Sequence, residues 1–75
     1  MSHQDLTEAE VERRMAEAAK AEGQGRHREA AALYDRLGKD IQARYGRFAP
    51  RALDAFEGVA RAISEGATEN EEQDR

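Results

Sequence analysis

Cysteine is absent from this 75-residue chain. No disulfide can staple the fold, and no thiolate is present to act as nucleophile or metal ligand. Tryptophan is absent too, and the aromatic complement is two tyrosines and two phenylalanines. No apolar run approaches the ~20 residues that cross a bilayer. Residues 1–5, Met-Ser-His-Gln-Asp, lack the basic and apolar blocks of a signal peptide. A cytoplasmic location with no membrane contact is the expectation. Histidine occurs twice, as His3 and His27. Neither has a second histidine three or four residues away, so a metal spacing is missing and His27 reads as an exposed turn residue. No glycine pattern resembles a phosphate loop. Neither metal nor other cofactor is expected, and enzymatic activity is not.

What the chain does have is alanine, glutamate and arginine in helical order. Thr7-Glu8-Ala9-Glu10 has the form of a capping box, with Leu6 and Val11 at the spacing of a hydrophobic staple. From there to Glu22 the residues are good helix formers. Val11, Met15, Ala18, Ala19 and Glu22 recur at helical spacing. Gly23-Gln24-Gly25 makes a short turn that forces an antiparallel return. The second helix is expected over about 26–45, with Ala30, Leu33, Tyr34, Leu37, Ile41 and Tyr45 inward and Gly46 as its stop. Gly38 inside it reads either as a surface position or as a close approach by a neighbouring backbone. Pro50 suits the first turn of a third helix over about 50–65. That helix is expected to point Leu53, Phe56, Val59 or Ala60, and Ile63 inward and to end at Gly66, with Gly58 marking tight packing. The fold class is therefore all-α, a three-helix antiparallel bundle: one domain over 1–66 and a disordered acidic tail over 67–75.

Net charge is −4, unevenly spread. Acids dominate before Gly23 and after Glu65, while the middle is mildly basic. Such acidic flanks disfavour generic nucleic-acid binding. Arginine outnumbers lysine ten to two, which points to the coding bias of a GC-rich bacterial or phage genome. Arg44, Arg47 and Arg51, interleaved with Tyr45 and Phe48, are the best nucleic-acid candidates. Because both aromatics continue the apolar series of the second helix, core and corner packing is the favoured reading for them. The arginines then form a rim for anionic groups of a protein partner, or pair with Glu12 and Glu17 of the same chain.

Ala18, Gly25, Glu29-Ala30 and Tyr34 together resemble one tetratricopeptide repeat: a small residue late in a first helix, a glycine turn, a Glu-Ala pair and an aromatic four residues on. The resemblance spans roughly residues 11–63, about one and a half repeats, the third helix serving as a cap. A weak echo at an offset of 41 pairs Ala19, Lys20, Ala21 and Gly25 with Ala60, Arg61, Ala62 and Gly66. The aromatic of the first helix is replaced by Arg14, its leucine position by Glu17 and a tyrosine position by Ala21. The resemblance implies a protein–protein adaptor that binds a partner helix or peptide. Arg14, Glu17 and Ala21 would line a groove, and Phe56, Val59 and Ile63 an apolar strip left uncovered for docking or homodimerisation. A small bacterial or phage regulator that blocks an enzyme or a nucleic-acid machine by occupying its surface fits as the alternative.

Overall fold

The computed structural model describes residues 6–73, with side chains described through Ala67. Three helices follow one another: α1 (Glu8–Gly23), α2 (His27–Tyr45) and α3 (Pro50–Gln73). The protein is an all-α three-helix bundle in which α2 lies between α1 and α3 and packs against both.

Local chemistry explains the boundaries. The Thr7 hydroxyl accepts a hydrogen bond from the Glu10 amide at 3.1 Å, satisfying one of the orphan donors of the first turn. The carboxylate of Glu10 is engaged by Arg13 at 2.5 Å, so the capping box has one clear arm. Leu6 and Val11 close the staple inside the core. At the other end the Arg26 amide donates to Ala21 O and the Gly25 amide to Glu22 O, a Schellman arrangement with Gly25 at φ 82°. A side chain there would be strained, which is why the turn needs glycine. Helix α2 stops at Gly46, and Pro50 opens α3 as expected.

Helix α3 does not end at Gly66. It continues through the acidic sequence to Gln73, beyond the boundary expected from the sequence. Residues 1–5 and 74–75, and hence His3 and the last residues of the expected tail, lie outside the described residues.

The larger correction concerns which face of α3 is buried. Ala52, Ala55 and Ala62 are fully buried, whereas Leu53 is 54% and Ile63 59% exposed. The cause is a close approach of α2 and α3 in which rings of each helix sit on glycines of the other and alanines fill the rest of the contact. The Phe56 ring lies on Gly38, where an added Cβ would come within 2.7 Å of it. Reciprocally, the Tyr34 ring lies on Gly58, again 2.7 Å from an added Cβ. Gly38 thus marks a close approach, but of an aromatic ring rather than a backbone. Around these contacts sit two connected sets of buried residues: Leu6, Val11, Leu37, Ile41, Ala52 and Ala55 at one end, Ala18, Ala21, Ala30, Tyr34 and Ala62 at the other. Phe48, read as core or corner from the sequence, is 82% exposed, because Gly46 turns the chain before the α2 stripe reaches it.

The two glycines differ in how the fold can respond to an added methyl. At Gly38 the obstacle is the far edge of a half-buried phenylalanine, which can tilt. At Gly58 it is the root of the buried Tyr34 ring. Gly58→Ala is expected to destabilise by about 1–2 kcal/mol, overpacking outweighing alanine's helix preference. Gly38→Ala should cost less. Urea unfolding of both variants checks the order, and a midpoint raised by Gly58→Ala would contradict the packing.

Candidate interaction site

Helix α3 carries two apolar stripes, each stepping by three and four residues and offset by one position. The inner stripe, Ala52, Ala55, Val59, Ala62 and Gly66, faces α2. The outer stripe, Leu53, Phe56, Ala60, Ile63 and Ala67, is turned toward solvent, with Leu53, Ala60, Ile63 and Ala67 exposed and Phe56 half-buried on Gly38. Beside its C-terminal half, α2 and α3 enclose an open groove of about 760 Å³. Its floor is Ala31, Ala62, Ile63, Gly66 and Ala67, and its edge is charged by Arg26, Arg28 and Glu29. His27 lies in this groove, and contrary to the sequence reading it is not an open turn residue. Its side chain is 14% exposed, with Glu65 at 3.6 Å, and a Cβ at Gly66 would meet its own Cβ at 3.1 Å.

Of the residues expected to line a groove on α1, Glu17 and Ala21 border an open cleft of about 320 Å³ with Lys20, Gln24, Arg26, Glu29 and Leu33, whereas Arg14 lies elsewhere. Ala21 is 5% exposed and belongs to the core with Ala18, Ala30 and Tyr34. Arg14 is half-buried and bridges to Asp40 of α2 at 3.0 Å. Glu17 is exposed, 3.8 Å from Arg13. Closely meeting helices spend their small residues on one another, so an alanine beside the turn is consumed by the α1–α2 crossing. Of the expected strip Phe56, Val59 and Ile63, only Ile63 is exposed; Phe56 is half-buried on Gly38, and Val59 is half-buried against the core on the inner stripe. Arg44, Arg47 and Arg51 gather at the α2–α3 corner. Arg44 lies over the Tyr45 ring at 5.0 Å and Arg47 over Phe48 at 5.8 Å. Arg51 reaches Glu12 of α1 at 3.7 Å, one of the two intrachain partners expected for the rim.

One site went unread in the sequence. Glu22 of α1, Tyr34 of α2 and Arg61 of α3 form a node joining all three helices. The Tyr34 hydroxyl donates to Glu22 Oε1 at 3.0 Å, and Arg61 donates to both Glu22 oxygens at 2.7 and 3.0 Å. Arg61 also donates to the Tyr34 oxygen at 3.3 Å. The signal was present: Glu22 shares a helical face with Val11, Met15 and Ala18, and a carboxylate turned inward requires partners. The Arg61 hydrogen bonds, helped by Tyr34 and opposed by partial burial, draw the Glu22 carboxyl down to about 2. Arg61 is held still more firmly protonated. Tyr34 is pushed up by burial and by the adjacent carboxylate. Among the described residues no group of three or more His, Cys, Asp or Glu is placed to hold a metal ion, and no helix is long and apolar enough to cross a membrane.

A carboxyl lowered in the folded state stabilises the fold above its unfolded value and loses that contribution as pH falls. Wild-type stability should therefore decline between pH ~4.5 and ~2 as Glu22 is protonated. Glu22→Gln should cost about 1–3 kcal/mol near neutrality and flatten this part of the acid profile. Thermal melts of both proteins across the range check it, and parallel profiles would refute the assignment.

No protein-family model matches the chain, and neither the curated proteins nor the solved structures yielded a match.

Proposed function

We propose that this protein is a non-enzymatic cytoplasmic interaction module that receives a helix of a protein partner along the outer stripe of α3. The observation that carries the reading is the placement of Leu53 and Ile63, 54% and 59% exposed, on a helix whose other apolar stripe is already satisfied by α2. A helix needs one apolar stripe to join a bundle; a second is explained by a second helix. Ala60 and Ala67 are small residues between and beyond the larger ones, and the groove that Ala67 borders with Ala31 and Ile63 widens the seat. Removing such surface from water contributes roughly 25 cal/mol per Å².

The tetratricopeptide-like reading agrees with this role. Its small positions Ala18 and Ala30 are fully buried where α1 and α2 cross, and Gly25 makes the turn between them. A regulator that acts by surface occupation would use the same stripe. Direct nucleic-acid binding has less support, because Arg51 is engaged by Glu12 and the corner arginines lie over their own aromatic neighbours.

The test is capture of partners from native lysate on the tagged full chain, with and without nuclease. A stoichiometric protein that survives nuclease supports the module. Leu53→Glu with Ile63→Glu should abolish its capture while leaving helicity unchanged, since both side chains stand outside the core. Capture unaffected by the pair, or lost only on nuclease treatment, would overturn the reading.

A further inference from the structure

The end of the bundle opposite the Gly25 turn carries a projection and a recess side by side. The projection is Phe48, 82% exposed, the most exposed large apolar side chain among the described residues. Its loop is held at both sides. Gln42 Nε2 donates to the Arg47 carbonyl at 3.1 Å, and the Ala49 amide donates to Gly46 O at 3.2 Å. The recess is a mostly apolar cleft of about 240 Å³ where the three helices meet, lined by Val11, Ile41, Tyr45, Ala49 and Pro50 and rimmed by Glu8 and Arg51. Tyr45 closes one wall by donating its hydroxyl to the Leu6 carbonyl. The cleft is smaller than the ~300–1,000 Å³ that small-molecule sites occupy, and its size suits a single aromatic side chain.

We infer that this corner is a self-association surface, in which Phe48 of each copy enters the Val11–Ile41–Pro50 cleft of a second copy. Three observations point to a second copy as the occupant. First, projection and recess adjoin on one patch, the condition for a two-fold interface in which each protomer gives and receives the same group. Second, the charges complement each other: the projection is flanked by Arg44 and Arg47, both exposed, and the recess is edged by the exposed carboxylate of Glu8, its other rim charge, Arg51, lying 3.7 Å from Glu12. Third, the phenyl ring is already held out by its pinned loop, so little ordering is required on docking. The surface is distinct from the α3 stripe, and the inference does not depend on what the stripe binds.

Sedimentation equilibrium of the full chain over a concentration series tests it. The wild type should reach twice the 8.4 kDa chain mass. Phe48→Ala should weaken association at least about thirtyfold, as expected for an aromatic anchor, with circular dichroism unchanged because the ring lies outside both core sets. Glu8→Lys or Arg47→Glu alone should weaken it roughly tenfold, and the two reversals combined should restore most of the loss. A wild type that stays monomeric at every concentration reached overturns the inference. So does a dimer indifferent to Phe48→Ala, or one dissolved by Leu53→Glu and Ile63→Glu while Phe48→Ala leaves it intact. Only the last of these outcomes bears on partner capture through α3, because it would seat a second copy on the stripe.

Discussion

Tyr34 is the residue on which the bundle's geometry depends. Its ring occupies the space that a side chain at position 58 would need, bringing α2 and α3 together. Its hydroxyl reaches Glu22 and thereby α1, and Arg61 of α3 closes the circuit onto the same carboxylate. A ring at the α2–α3 contact fixes how near the helices come, while the polar end fixes where α1 sits along them. Phe56 on Gly38 repeats the ring-on-glycine contact with the roles of the two helices exchanged, so α2 and α3 are held at two points rather than one. Two such points of contact leave the helices little freedom to slide.

That close approach decides what remains for function. With Ala52, Ala55 and Ala62 filling the inner contact and Phe56 seated on Gly38, Leu53 and Ile63 turn outward. The exposed stripe is therefore a consequence of how the core is packed. A core built from alanine and glycine gains less from burial per residue than one built from leucine. The fold offsets this with a shared polar node and with fully buried Leu37 and Ile41 on α2. A chain of this size has little core to spare, so bulky apolar groups left outside are costly unless something covers them.

Sequence periodicity made the element order, and every boundary except the end of α3, legible because caps act locally. Thr7, Gly25, Gly46 and Pro50 each set a chain end through their own backbone chemistry. The inward face of α3 was not legible. Leu53 and Ile63 are better core residues than Ala52 or Ala62 by size, and hydrophobicity alone ranks them first. Only the pairing of Gly38 with Phe56 and of Gly58 with Tyr34, a relation between residues far apart in the chain, reverses that ranking. His27 was misread for the same reason: a position just after a turn is ordinarily open, but Gly66 of α3 lies against it. Glu22 was legible in principle, as a carboxylate on an apolar face, yet its partners came from two other helices.

The two proposed surfaces have a joint consequence. The α3 stripe runs along the side of the bundle, whereas the Phe48 corner occupies the end where α2 gives way to α3. Pairing two copies through their corners would leave both stripes open, one on each protomer, joined without a flexible linker. A partner carrying two suitable helices, or a partner itself dimeric, would meet the second stripe at a high effective concentration once the first was engaged. Avidity of that kind exceeds either single contact by orders of magnitude when the geometry allows both, and vanishes when it does not. A module whose partner contact is confined to one helix face gains most from this arrangement, because the second contact adds to the first without a further loss of translational freedom.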